Sequence, residues 1–186
     1  MRPIFAFAAA GLLALTISAA QAQQMAAPST PIPVPKKPNF APMAFYVGTW
    51  NCTSRSSRRP TPQTSTETYT MDETGYWLIG KQTTNATSWL KWASNGTDWI
   101  TWDSDSKRWV DVYTDDHGQY DLAYTKGWVN GVAVWKDLAF APGPNMQSMT
   151  DFTVKKVSSS KITFSYGYTT KKSRAVTVSG SCSKSS

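Results

Sequence analysis

Beyond residue 43 the chain alternates apolar and polar positions with a period of two, and no stretch carries the 3.6-residue stripe of an amphipathic helix. Thr, Val, Tyr and Trp are enriched there, and turn residues recur about every ten positions, as in short antiparallel strands. We therefore predict no helix and a run of strands over 45–53, 64–72, 76–84, 87–94, 98–103, 108–114, 119–128, 132–140, 148–157, 161–169 and 174–182. Short, evenly spaced strands of this kind indicate an up-and-down barrel or a sandwich.

Turn residues support this division of the chain. The pairs Asn95-Gly96 and Asn130-Gly131 suit two-residue hairpins, in which both central residues take a positive φ. Further turns are expected where Asp, Ser and Gly cluster between strands. These clusters lie at 103–106, 115–118 and 158–160.

The N-terminal region has a different composition. Residues 1–22 begin with a cation at Arg2, continue with an apolar run and end in Ala20-Gln21-Ala22, the pattern of a cleavable signal peptide. The apolar run is shorter than the roughly 20 residues that a membrane-spanning helix needs. We therefore expect a bacterial Sec-type signal and a periplasmic or secreted product without a transmembrane segment. Residues 23–42 are rich in proline and predict a semi-rigid tether, which leaves 43–186 as the folded domain.

Two cysteines help to choose between barrel and sandwich. Cys52 lies near the end of the first predicted strand and Cys182 at the end of the last. An exported protein enters an oxidising compartment, so a disulfide is favoured over two free thiols. Because the first and last strands of an up-and-down barrel are neighbours, this bond would pin the closing seam. The fold predicted is thus an all-β antiparallel up-and-down barrel of about 8–11 strands, closed by one disulfide.

The disulfide also predicts a strand register. If Cys52 faces Cys182 on antiparallel neighbours, Arg58 lies across from Val176 and Arg59 across from Ala175. Six cations would then gather at one mouth of the barrel, namely Arg55, Arg58, Arg59, Lys171, Lys172 and Arg174.

Several short motifs resemble a known family. The stretch 45–50, Phe-Tyr-Val-Gly-Thr-Trp, resembles the Gly-x-Trp opening of lipocalin-like (calycin) barrels. The order of Trp102-Asp103, Arg108-Trp109-Val110, Tyr113, the 115–118 turn and 128–131 is similar to small exported bacterial lipocalin-like domains of largely uncharacterised function. The resemblance covers roughly 44–182. It implies an internal cavity for a small apolar ligand, and no catalytic residue or cofactor is carried over from it.

The charge of the chain indicates which partners to expect. The formal net charge is +7, and only 17% of residues are charged against 40% hydrophobic. That balance excludes a charge-driven disordered chain. Phosphate binding would suit the charge, but the chain lacks an RNA-binding signature and is expected outside the cytoplasm, so no nucleic-acid partner is predicted. An acidic ligand or polymer fits better, with simple solubility as the alternative.

Polar chemistry offers few conventional sites. His117, the single histidine, lies among turn residues and has no second His or free Cys with which to bind zinc. No Gly-x-Ser-x-Gly presents a nucleophile. The strand acids, among them Glu67, Asp111, Asp121 and Asp137, are expected on the solvated outer face, with a paired catalytic role as the alternative. We predict no metal and no cofactor.

The aromatic residues are the richest feature. Their rings could fill the core, line a pocket or form an outer platform for sugars. The aromatic residues assigned to the pocket are Trp89, Trp102, Trp109 and Tyr113. The leading hypothesis is a non-catalytic barrel that binds a small apolar or amphipathic, in part acidic, ligand. The alternatives are a surface module that binds polysaccharide through exposed Trp and a cofactor-free isomerase or lyase that uses Asp and Tyr pairs.

Overall fold

The computed structural model describes residues 33–141 and 146–185, so the predicted signal peptide lies outside the described residues. The chain divides into two units, Met1–Pro35 and Lys36–Ser186, and the second unit holds all the strands that the structure describes. A short 3-10 turn, Ala44–Tyr46, precedes them. The strands are β1 (Gly48–Ser56), β2 (Gln63–Met71), β3 (Leu78–Thr84), β4 (Ser94–Asp103), β5 (Arg108–Asp115), β6 (Tyr120–Thr125), β7 (Val132–Ala141), β8 (Met146–Met149), β9 (Phe152–Ser158), β10 (Lys161–Thr170) and β11 (Ala175–Lys184).

The strands form one closed antiparallel barrel, which confirms the predicted fold class. β1 to β7 pair in chain order, β7 pairs with β9, β9 with β10, β10 with β11, and β11 returns to β1. Ten strands complete this circuit. β8 pairs with the C-terminal part of β10, beyond the part paired with β9, and so extends the same side of the barrel.

The closing seam has the predicted register. Cys52 pairs with Cys182 and the two are joined by a disulfide, so the disulfide prediction is confirmed. The backbone pairing continues to Ser56 opposite Val178. Beyond it, Nε of Arg58 donates a hydrogen bond of 3.0 Å to the carbonyl of Ala175. The first and last strands are therefore held together both covalently and by backbone pairing.

Three local predictions are wrong. The predicted strand 148–157 is interrupted at 150–151, between the end of β8 and the start of β9. Residues 87–94 form a loop up to the start of β4, because the Thr87 hydroxyl accepts hydrogen bonds from the amides of Trp89 and Leu90 and so favours a turn. Asn95-Gly96 is not a hairpin but lies within β4. A Cβ at Gly96 would come within 2.4 Å of the Tyr113 ring, so glycine serves there for close packing.

The other predicted turns are confirmed. Asn130 and Gly131 both have positive φ, and Val129 and Val132 exchange backbone hydrogen bonds around them. In the turn between β5 and β6, a carboxylate oxygen of Asp115 accepts from the amides of His117 and Gln119. Such side-chain acceptance by Asp fixes a turn locally, which is why the sequence reveals it.

The 3-10 turn covers one end of the barrel. Met43, Tyr46 and Trp50 are almost fully buried there. The indole Nε1 of Trp50 donates a hydrogen bond of 2.7 Å to the carbonyl of Tyr46. Phe40, within the segment predicted as tether, packs on Trp109 with ring centroids 5.2 Å apart. The apolar core of the protein therefore lies at this end.

Candidate functional site

A cavity of about 380 Å³ lies inside the barrel. The buried side chains of Tyr46 and Cys52 line it towards the covered end. Gln63, Thr84 and Gln119, at strand ends on the far side, line it towards the opposite rim. This volume falls in the range of sites for small organic ligands.

Rings lying flat on the wall keep this space open. A Cβ at Gly80 would meet Tyr69 at 2.4 Å, and a Cβ at Gly180 would meet Phe164 at 2.3 Å. Both pairs are direct cross-strand neighbours on the inner face. Because glycine has no side chain, each ring can lie against its partner strand instead of projecting into the lumen.

One side of the cavity carries carboxyl groups. Four of them come from the successive strands β4 to β7, namely Asp98, Asp111, Asp121 and Asp137, and the fifth is Glu67 of β2, across β3 from Asp98. The expected outer-face position of Glu67, Asp111, Asp121 and Asp137 is therefore wrong. Their strand parity places them inward, beside core residues such as Ile100 and Ala123.

A hydrogen-bonded network holds part of this acidic side. Nε2 of Gln82 donates a hydrogen bond of 3.1 Å to Glu67. The Tyr113 hydroxyl donates a hydrogen bond of 3.4 Å to Oε1 of the same Gln82. The Tyr69 hydroxyl donates a hydrogen bond of 3.4 Å to Asp98. These contacts orient the groups on β2 to β5 before any ligand arrives.

Each of the remaining carboxyls has one oxygen without a partner. The Oδ1 atoms of Asp111, Asp121 and Asp137 are buried and make no hydrogen bond within the described residues. Leaving a buried polar atom unpaired costs about 1–3 kcal/mol, so unpaired oxygens mark a place where a donor is missing.

Burial and mutual repulsion raise the pKa values of these acids. Burial, followed by the charge of Asp121, raises the pKa of Asp111 to about 7. Burial and the charge of Asp137 raise the pKa of Asp121 to about 6. For Asp98, burial and the charge of Asp111 raise the pKa well above its usual value, and burial also raises the pKa of Glu67 and Asp137. The lining therefore changes charge near neutral pH.

The other side of the cavity is apolar. Phe152 of β9 stacks on Phe164 of β10 with centroids 5.6 Å apart, and Tyr166 lies 5.7 Å from Phe152. Trp135, Val154 and Ile162 complete the surface, which β7, β9 and β10 supply. The cavity thus has a polar wall and an apolar wall.

The predicted site residues fall into three places. Tyr113 lines the cavity, whereas Trp102 and Trp109 line a groove outside the covered end together with Trp128 and Lys156. The six predicted mouth cations lie at the opposite end, in the β1–β2 loop and the β10–β11 turn or at the strand ends beside them. Trp89 lies at this same end, under the guanidinium of Arg59 at 4.8 Å.

Three potential metal-ligating residues come together at one place in this cavity. Among the described residues, the one group of three metal-ligating types whose ligand atoms lie within 4.8 Å of one another is Cys52, Glu67 and Cys182. Its two sulfur atoms form the disulfide and so cannot serve as thiolate ligands.

No helix among the described residues is long and apolar enough to cross a membrane.

Comparisons with known proteins identify no family. No family model and no curated protein matches the chain. Solved structures similar to it include EF1p2_mFAP2b bound to DFHBI, with 11% identity over 77% of this chain and 96% of that chain and a TM-score of 0.39. An S-type phycobiliprotein lyase, CPES, from Guillardia theta has 7% identity over 76% of this chain and 89% of that chain, with a TM-score of 0.40.

A third similar structure is a protein of unknown function from the DUF3598 family of Nostoc punctiforme, with 12% identity and a TM-score of 0.36. The match covers 77% of this chain and 48% of that one. TM-scores this low do not establish a shared fold. The assignment of this chain as a barrel is based on the pairing of its own strands.

Proposed function

We propose that this protein is an exported lipocalin-like barrel that binds a small amphipathic ligand inside its cavity. The observation that carries the proposal is the contrast between the walls, with carboxyl and hydroxyl groups on one side and stacked rings on the other. Sites for small organic ligands combine an apolar lining with a few placed polar groups in this way. The disulfide suits an oxidising compartment.

The proposal also gives a role to the basic rim, the six cations at the open end of the barrel. Arg55, Arg58, Arg59, Lys171, Lys172 and Arg174 attract an acidic group of the ligand where it emerges from the barrel. The contact of Arg58 with Ala175 supports this, because it brings the β1–β2 loop beside the start of β11, which follows the β10–β11 turn. Trp89, beneath Arg59, adds an apolar surface at the same rim.

Native mass spectrometry of the protein purified from its own compartment tests the proposal. We expect an added mass that organic solvent removes, which would also give the mass of the ligand. The variant Ala123→Phe fills the cavity from its inner wall, and we expect at least a tenfold loss of affinity for the ligand released from the protein.

The matched control is Ala139→Phe, the same change at an exposed position on the adjacent strand β7. It should leave the affinity unchanged. Equal affinity of both variants would place the ligand outside the cavity. A bare protein whose Trp fluorescence responds to soluble glycans would favour the polysaccharide-binding alternative instead.

A further inference from the structure

The charge balance of the cavity indicates which chemical class of ligand enters it. Five carboxyl groups line the space, and among the described lining residues none is Lys, Arg or His. An ionised acid buried without a counter-ion is strongly unfavourable, so such acids are normally paired or protonated. The described lining supplies no positive partner for them.

The spacing of the carboxyls selects among cations. Their oxygens do not converge, since no three of them from different residues lie within 4.8 Å of one another. The four members on β4 to β7 are diagonal neighbours on adjacent strands, as Asp111 and Asp121 are through the pairs Asp111–Ala123 and Tyr113–Asp121. A row of this kind suits hydrogen-bond donors on an extended organic molecule better than a single metal ion.

The apolar wall indicates the rest of the molecule. Phe152, Phe164 and Tyr166 present stacked and tilted rings to the same space. Rings pack against a hydrocarbon or aromatic body, and their faces also attract a cation. Both walls therefore favour one ligand with a positive head and an apolar body.

We propose that the ligand of this cavity carries a protonated amine, which hydrogen-bonds to the unpaired Oδ1 atoms of Asp111 and Asp121 while its apolar body packs against Phe152 and Phe164. The inference rests on the proposed function and deepens it. The amine lies inside the cavity, whereas the basic rim contacts an acidic group at the other end of the same ligand, where it emerges from the barrel.

Binding of the amine is coupled to release of protons. An ammonium group stabilises ionised carboxyls, so affinity rises with pH while Asp121 and Asp111 lose their protons, through pKa values of about 6 and about 7. Other ionisable groups that line the cavity are Glu67, Asp98, Asp137, Tyr46, Tyr69, Tyr113, Tyr120 and Tyr166. The tyrosines facing these acids stay neutral over that range, since burial raises the pKa of Tyr46, Tyr69, Tyr113 and Tyr166.

The test compares phenylbutylamine with phenylbutanol, which share one apolar body, by calorimetric titration of the purified protein. At pH 8 we expect the amine to bind at least tenfold more tightly than the alcohol. Between pH 5 and pH 8 the affinity for the amine should rise at least tenfold, and the affinity for the alcohol should not rise.

Isosteric variants locate the effect. Asp111→Asn with Asp121→Asn removes both charges while keeping the volume of the side chains, and it should bring the amine within about threefold of the alcohol. Asp105→Asn, the same change in the exposed β4–β5 turn, is the control and should keep the preference. Thermal unfolding of each variant verifies that it is folded.

The outcomes separate the two proposals. If the alcohol binds as tightly as the amine at pH 8, the amine inference is wrong and the cavity proposal stands. If the double variant keeps the preference, the carboxyl row is not the site of the head group. If neither probe binds, the amine inference is wrong, and the cavity proposal is decided by the native mass spectrum and by Ala123→Phe.

Discussion

Individual acidic residues determine how this barrel responds to pH. Carboxyls whose pKa is raised by folding stabilise the protein while protonated, and this stabilisation is lost as pH rises from the unfolded value, about 4, through the folded one. Asp111, with a pKa of about 7, and Asp121, with about 6, belong to this class. Acids at turns, such as Asp72 and Asp103, have lowered pKa values through hydrogen bonds from their neighbours, so their contribution is lost below about pH 4.

We therefore predict that the ligand-free protein is most stable near pH 4–5 and that its free energy of unfolding falls by about 2 kcal/mol between pH 5 and pH 8. Urea unfolding at a series of pH values measures this. Asp111→Asn should flatten the slope, because an amide does not titrate, whereas Asp105→Asn should keep it. A stability that rises over the same interval would contradict the position of these acids inside the barrel.

At the scale of the strand, paired glycines and rings keep the lumen open. Gly180 of β11 is the tightest case, because a Cβ there would meet both the Phe164 ring and the carbonyl of Thr53, at 2.6 Å. The carbonyl belongs to the neighbouring backbone and cannot move as a side chain can. Of the two groups, only the Phe164 ring could move away from the added Cβ, and it would move towards the cavity.

Gly180→Ala is accordingly expected to cost about 2–3 kcal/mol of stability and to weaken ligand binding. Chemical denaturation and ligand titration check the two effects. Ser179→Ala, at the adjacent exposed position on β11, is the matched control and should change neither by much. An alanine variant of normal stability would mean that the two strands are not packed as closely as described.

For the molecule as a whole, closure depends on the seam between the first and last strands. Cys52 and Cys182 are 130 residues apart, and in the chain-entropy model a loop of that length is worth about 5 kcal/mol. The bond therefore links almost the entire barrel into one loop.

Replacing both cysteines by alanine should lower the unfolding free energy by about 3–5 kcal/mol, and reduction of the native protein should have a similar effect. Denaturation with and without a reductant measures this, and the double variant, which has no thiol, is the control for the reductant. A reductant that leaves the native protein unchanged in stability would show that the bond is not formed in solution.

Long-range charge at the rim can be tested independently of the cavity. Arg58→Glu with Lys172→Glu should weaken binding of decanoate several-fold at low salt and leave decanol unaffected, because rim electrostatics act on the acidic head and are screened by salt. Lys81→Glu with Lys161→Glu makes the same change in net charge at exposed positions elsewhere. Unchanged decanoate affinity in the first variant would remove the rim from the proposal.

The sequence by itself determined most strands, most turns, the disulfide and the register of the seam. These follow from local chemistry, since alternation shows burial of one face and Asp or Gly fixes turns such as 115–118 and 130–131. The sequence also shows that Asp111 is two residues from both Trp109 and Tyr113 and therefore shares their strand face. This was the signal that could have placed the acid inside the barrel.

Only the tertiary structure decided the cavity. Acids are seldom buried, so an outer position for Asp111 and Asp121 was the natural expectation. Whether a strand face is inside depends on barrel closure, and whether the inside is open depends on rings lying over Gly80, Gly96 and Gly180. Such cross-strand contacts join residues distant in the chain, and no local pattern encodes them.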